Sequence, residues 1–323
     1  MILAVIFSLL PSKLRLALLK LRGHEIGTKV KLGFGAILKV DGKIHLGQGC
    51  KVGHFVLIKC NELKIAPYTQ ISSFSFIQTP RITIGRDSKI SSAVIIRSGH
   101  VSRDSELILG DLVHIFPFVT IDSSRKVKIG DETGIGPHCS IFTHASYKSV
   151  LQGYPVTYGD VTIGKRVELT YNVFVAPGVN IADDAICAYG SYINKDIPAG
   201  VLAAGLPAIV KRSKDQITAC QVDVSQTLDG IIENYTANVQ MITGRKPLLI
   251  KKYLIEEARI MDNDMIYVIC DAEIKVCTAA RYGLFDITGR SCENHGLQMD
   301  DFDGFRKFLS RYGIRFLTKT EFA

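Results

Sequence analysis

From Ile26 onward an aliphatic residue followed by a small residue returns every six positions, and a repeat of fixed period has to be read before any single strand is assigned. The clearest stretch places Ile163, Leu169, Val175, Ile181, Cys187 and Ile193 at the first position of successive hexads. Val167, Val173, Val179, Ala185, Ser191 and Ile197 follow, each four residues later. Shorter triplets with the same spacing begin at Ile26, Leu46, Ile65, Ile84, Leu109 and Ile129.

Three hexads make one economical unit, a coil with three short flat faces in which each hexad supplies a strand and a corner. A buried aliphatic at position one and a small or β-branched residue at position five fill a narrow prism, while Gly or Ala at position two lets the backbone turn. One coil cannot bury its own core, so the coils must stack into a solenoid. Residues in excess of the repeat then have to leave it at the corners. The largest excess lies between Ile141 and Ile163, and long excursions from a regular scaffold are where function is usually placed.

At 323 residues, 47% hydrophobic and 22% charged, the chain has material for a sizeable core. Its eight cysteines contain no C-x-x-C pair, so reduced structural thiols in a cytosolic protein are expected and disulfides are not. Residues 1–100 hold 15 Lys or Arg against four acids, Glu25, Asp41, Glu62 and Asp87. Any anionic surface the protein meets is therefore met by this third, although a solubilising basic surface explains the same charge equally well. No stacking-aromatic motif of a nucleic-acid module accompanies it, so nucleic acid is not an expected partner.

Residues 1–10 are apolar but only half the length needed to span a bilayer, and Pro11 follows at once. The cations Lys13, Arg15, Lys20 and Arg22 come after the apolar run, the reverse of a secretory signal. Leu14, Leu18 and Leu21 recur at helical spacing among them, which predicts an amphipathic helix over 1–22. Such a helix suits reversible contact with an anionic membrane at the cytoplasmic face, and it suits equally a cap over the open end of the solenoid.

The end of the repeat is its most specific part. Pro177, Gly178, Val179, Ile181, Asp183, Gly190, Ser191, Lys195, Asp196, Pro198, Gly205, Pro207, Ala208 and Arg212 follow the closing consensus of the hexapeptide-repeat acyltransferases. The chain resembles that family over roughly residues 23–212. The resemblance implies a left-handed parallel β-helix, a hand that departs from the usual crossover rule. It also implies a homotrimer with clefts between protomers, and acetyl-CoA as donor. The acceptor it suggests is a sugar hydroxyl of a cell-surface polysaccharide or a glycolipid precursor, with an amino sugar as the alternative. A rival within the same fold is a zinc protein resembling the γ-class carbonic anhydrases, for which His138 would be a ligand.

His144 stands out among the eight histidines. It follows the third strand of its coil at the foot of the excursion Tyr147–Thr162, where several members of the family carry their catalytic histidine. Imidazole chemistry suits a base that takes the proton of an attacking hydroxyl. His138 sits one hexad earlier, on the neighbouring face, and is expected to be structural; no metal is expected. Asp122, Asp131 and Asp160 are all candidates to orient His144, and Tyr147, Tyr154 and Tyr158 either wall a sugar site or pack the loop. The family likeness implies that the pantetheine arm of the donor lies along backbone amides at Ala176, Ala188, Gly190 and Ser191. Lys195, Lys211 and Arg212 are then placed to meet its phosphates.

Beyond Arg212 the hexad period stops. Leu228, Ile231, Ile232, Tyr235 and Val239 read as a helix, 265–270 and 283–287 as strands, and 301–312 as a second helix. The expected organisation is an N-terminal helix over 1–22, a β-helix over 23–215 and a small α/β accessory domain over 216–323. Cys270, Cys277, Cys292 and His295 match no familiar metal spacing and are expected to pack.

Overall fold

The computed structural model describes residues 2–99, 102–145, 148–217, 223–244, 248, 250–253, 258–260, 265–269, 274–276, 281–287 and 290–319. The chain folds as two compact units, 1–218 and 219–323.

In the first unit the described strands form eight stacked coils, whose three faces are three sheets of parallel strands. The first face runs from Glu25–Ile26 to Asn180–Ile181, and the second from Lys31–Leu32 to Ile186–Cys187. The third face runs from Ile37–Val40 to Tyr192–Ile193. Leu202–Gly205 extends the second face by one rung, and Ala208–Arg212 folds back on it antiparallel. The architecture is a left-handed parallel β-helix, mainly β with few helices.

The hexads set the register. Ile129, Ile163 and Ile181 stack in line on the first face, Ile135, Leu169 and Cys187 on the second, and Ile141, Val175 and Ile193 on the third. All nine side chains are buried, as are the fifth-position residues Val167, Val173, Val179, Ala185, Ser191 and Ile197. Two of the three corners are tight enough to need a left-handed residue in most coils. Tyr68, Asp87 and Glu132 take that conformation at the first corner, and Phe55, Phe74, Phe118, His138 and Asn172 at the second. Adjacent coils touch backbone to backbone at the second corner, where a Cβ on Gly136 would lie 1.5 Å from the Thr170 carbonyl oxygen. Burial pushes the Cys139 thiol up to about 11 and the Cys187 thiol up to about 12, so both sulfurs remain thiols in the core.

The amphipathic helix expected over 1–22 is two helices, Ile2–Leu9 and Ser12–Leu21. Pro11 has no N–H to donate and breaks a continuous helix there. Leu19 of the second helix is buried against the first coil, and Phe7 and Leu16 pack beside it. Arg15, only 1% exposed, donates hydrogen bonds to the carbonyls of Ser8, Gly33 and Ala36 and so ties both helices to the second corner of the first coil. The segment is therefore a cap on its inner face. Ile6, Leu9, Leu14 and Leu21 point outward, the last 84% exposed. No helix among the described residues is long and apolar enough to cross a membrane.

In the second unit the described strands Ile250–Tyr253, Met265–Ile269 and Tyr282–Asp286 run parallel, and Ser291–His295 lies antiparallel to the last of them. Leu317–Thr318 completes the sheet beside Ser291–His295. Helix Val224–Thr243 starts at Asp223, whose side chain accepts from the Gln226 amide, and ends at the left-handed Gly244. Its buried stripe Leu228, Ile231 and Tyr235 meets Phe305 and Phe308 of helix Met299–Ser310 around a core that includes Phe285 and Val268. Cys270 and Cys277 lie outside the described residues, while His295 stacks on Tyr282 and pairs with Glu293.

Candidate active site

After the third-face strand Ser140–Ile141 the chain does not turn into the next coil. His144–Ala145 instead pairs antiparallel with Thr157–Tyr158, so that the excursion leaves and returns as a hairpin with His144 opposite Tyr158. The hairpin is rooted by the Gly159 amide, which donates to the Thr143 carbonyl. Where it re-enters the coil, Gly159 lies so close to Gly178 that an added Cβ would sit 2.5 Å from the Gly178 Cα. The imidazole stacks on Tyr158 at 5.9 Å between ring centroids, and the Arg125 guanidinium covers that tyrosine at 5.7 Å while pairing with Asp104. Tyr154 packs against Lys148 on the exposed hairpin, and Tyr147 lies outside the described residues.

Asp122 is the carboxylate that reaches His144, with 2.8 Å between Oδ1 and the imidazole Nδ1. It ends the third-face strand one coil below, in register with Arg97 two rungs under the histidine's own strand. The Thr143 hydroxyl at 2.8 Å and the Ser124 amide at 3.2 Å also donate to Oδ1. The Ser124 hydroxyl at 3.1 Å and the Gly99 amide at 3.3 Å donate to Oδ2. Burial raises the pKa of this carboxyl, but the hydrogen bonds from His144, Thr143 and Ser124 outweigh it and the net shift is downward. Asp122 is thus held as an acceptor-only carboxylate, which fixes the proton of His144 on Nδ1 and turns the lone pair of Nε2 to chemistry. The other two candidates are occupied elsewhere, Asp131 by Lys165 and the Asp111 amide, and Asp160 by the Lys126 amide.

The residues expected to hold the donor fall on two corners. Ala176 lies on the third corner, one coil beyond His144, whereas Ala188, Gly190 and Ser191 lie on the second. Their amides are not available to a ligand as expected. Ala176 donates to Ile193, Ala188 to Ala203, Gly190 to Tyr171 and Ser191 to Ala188, because each N–H closes a rung or turn of the solenoid. The Ser191 hydroxyl is also turned inward, donating to the Ala188 carbonyl and accepting from the Gly205 amide. Lys195, Lys211 and Arg212 are exposed, the last two on the returning strand Ala208–Arg212. His138 lies on the second corner between Phe118 and Tyr171, with ring centroids 5.1 and 5.3 Å away. Among the described residues no group of three or more His, Cys, Asp or Glu could hold a metal ion. Sequence reasoning missed Gly99, Thr143, Ser124 and Arg125, which carry no spacing signal.

No protein-family model matches the chain. It is 30% identical over 128 residues to the putative colanic acid biosynthesis acetyltransferase WcaF of Escherichia coli, across 39% of this chain and 70% of that protein. The chain belongs to the hexapeptide-repeat acetyltransferase family. A second hexapeptide-repeat acetyltransferase, the galactoside O-acetyltransferase of Escherichia coli, is 29% identical over 140 residues, across 43% of this chain and 66% of that protein. Among solved structures, the UDP-N-acetylglucosamine acyltransferase from Campylobacter jejuni aligns with a TM-score of 0.49 at 16% identity, across 66% of this chain and 87% of that one. As a hexapeptide-repeat acetyltransferase the chain is an acyltransferase enzyme.

Proposed function

We propose that the protein moves an acetyl group from acetyl-CoA to a sugar hydroxyl of a cell-surface polysaccharide or glycolipid precursor, with His144 as general base. The observation that carries this reading is the 2.8 Å contact between His144 Nδ1 and Asp122 at the foot of the hairpin. Nε2 takes the hydroxyl proton as the sugar oxygen attacks the thioester carbonyl, and Asp122 stabilises the imidazolium that forms. Collapse of the tetrahedral intermediate breaks the carbon–sulfur bond, and the departing thiolate recovers the proton from the imidazolium. Release of free CoA thiol, measured with candidate glycans as acceptors, tests the assignment. His144→Ala is expected to lower turnover by about 10² to 10⁴ while stabilisation by CoA persists. Undiminished turnover in the folded variant overturns it.

The same reading makes the enzyme a homotrimer with its clefts between protomers. Corners of one prism point in different directions, so Ala188 and Gly190 of one copy meet His144 only across an interface. A surface suited to that interface runs beside the second corner, where the rings of Phe34, Phe55 and Phe74 follow one another in one exposed rib and those of Phe118, His138, Tyr171 and Tyr189 in another. With those amides spent on the coil, the pantetheine arm lies against small side chains, and Lys195, Lys211 and Arg212 meet the phosphates.

Transfer belongs to residues 23–215 in this reading, and 216–323 form an accessory domain. The outward face of the cap joins Leu9, Leu14 and Leu21 to the exposed Lys13, Lys20 and Arg22, a combination suited to the anionic cytoplasmic face of a membrane.

A further inference from the structure

The third face of the solenoid presents two outward rows of different chemistry. The row beside the second corner is apolar in the first four coils, with Ile37, Leu57, Phe76 and Ile95 in register. The row beside the third corner runs Lys39, Lys59, Gln78, Arg97 and then Asp122, each residue directly above the last. Lys39, Lys59 and Arg97 are exposed, and among the described residues no carboxylate pairs with any of them.

Only some cations elsewhere on the solenoid are paired within it. Arg81 and Lys126 share Glu106 on the first face, Lys165 pairs with Asp131, and Arg166 pairs with Asp184. Like charges on neighbouring strands repel. Among the described residues two rows of cations stand without a paired carboxylate, Lys39, Lys59 and Arg97 on the third face and Lys31, Lys51 and Lys89 on the second. The second-face row runs on to His114 and Gly134 and not to His144. The third-face row ends on the carboxylate that holds His144, four rungs and about 19 Å from Lys39 at the strand spacing of a sheet. It approaches the site from the N-terminal coils, whereas Ala176, Lys195, Lys211 and Arg212 lie on the C-terminal side of His144.

We infer that the row Lys39–Lys59–Arg97 is a track for the acceptor, and that the acceptor is a polyanionic glycan whose carboxylate or phosphate groups pair with successive rungs. Gln78, between the cations, has an amide that both donates and accepts, the chemistry a sugar hydroxyl needs. This inference rests on the acetyl-transfer reading and narrows its substrate class. A chain laid along the row is anchored at several rungs at once, so its attachment depends on charge and weakens with salt.

The probes are polygalacturonate, an anionic glycan, and dextran, a neutral one. The intact protein is expected to retard in a gel containing polygalacturonate but not dextran, and to lose that retardation as salt rises. The triple variant Lys39→Gln, Lys59→Gln, Arg97→Gln is expected to bind polygalacturonate at least about tenfold more weakly with a shallower salt slope, its thermal stabilisation by CoA unchanged. His144→Ala is expected to bind polygalacturonate like the parent, which separates this inference from the catalytic assignment. Unchanged binding by the triple variant overturns the track. Loss of CoA stabilisation in that variant overturns it in favour of a donor-phosphate site. Loss of binding to phosphatidylglycerol vesicles with polygalacturonate binding intact overturns it in favour of a lipid surface.

Discussion

His144 Nδ1 and Asp122 Oδ1 lie 2.8 Å apart although 22 residues separate them in the chain. The coil makes this possible, because one turn of the solenoid returns the backbone to the same corner one rung higher. The hairpin then lifts His144 out of the repeat, while Asp122 stays inside it among five donors from Gly99, Ser124, Thr143 and His144.

Asp122→Asn replaces an acceptor-only group with one that places an NH₂ against a donor, so turnover is expected to fall between about tenfold and about 10⁴-fold. The folded-state pKa of Asp122 lies below its unfolded value of about 3.9, so its stabilisation is complete above that pH. It is lost as pH falls through the folded value. Urea unfolding at several pH values should therefore show the gap between parent and variant widest above about pH 4 and closing on further acidification. A gap independent of pH contradicts the charged hydrogen-bonded state.

Gly99 lies on the coil beneath the site, where an added Cβ would be 3.3 Å from His144 Cε1 and 3.4 Å from Asp122 Oδ2. Gly99→Ala is expected to tilt the imidazole by a few tenths of an ångström and lower kcat by about tenfold, with a melting temperature close to the parent's. Equal kcat in the two proteins would mean that the ring has room the geometry denies.

The two faces of the N-terminal cap separate by substitution. Arg15→Met removes the donors to three carbonyls, Ser8, Gly33 and Ala36, and is expected to cost about 2–4 kcal/mol in denaturant unfolding. Leu14→Glu with Leu21→Glu, on the exposed side, is expected to leave stability within about 0.5 kcal/mol and to weaken sedimentation with anionic vesicles. Vesicle binding that survives the double substitution rules out this face as the contact.

Phe55 and Phe74 stack at 5.6 Å on the second corner, both more than half exposed. Phe55→Asp with Phe74→Asp is expected to shift the mass measured by light scattering from three chains toward one. A protein that stays trimeric places the interface elsewhere.

The C-terminal half of the repeat shows how far periodicity reaches. Because a side chain in a short strand points either in or out, spacing six apart was enough to assign Ile163, Leu169, Val175, Ile181, Cys187 and Ile193 to one continuous core, all of them buried. The position of His144 after a strand and before a long excess was legible for the same reason. At the N-terminus the apolar and basic pattern was equally visible, but not that Arg15 would turn inward while Lys13 and Lys20 stayed outside.

The amino-acid sequence by itself determined the solenoid and the corner from which the hairpin departs, since both follow from local spacing, while the solenoid's hand was implied by the resemblance of the closing motif to the family. The tertiary structure alone decided which of Asp122, Asp131 and Asp160 holds His144. It also decided that the amides of Ala176, Ala188, Gly190 and Ser191 are consumed by the coil, and that Lys39, Lys59 and Arg97 line up beneath Asp122. The physical reason is that coils of unequal length hide the rung-to-rung register from linear distance. Hydrogen-bond partners and charge rows are properties of that register, and they exist only once the coils are stacked.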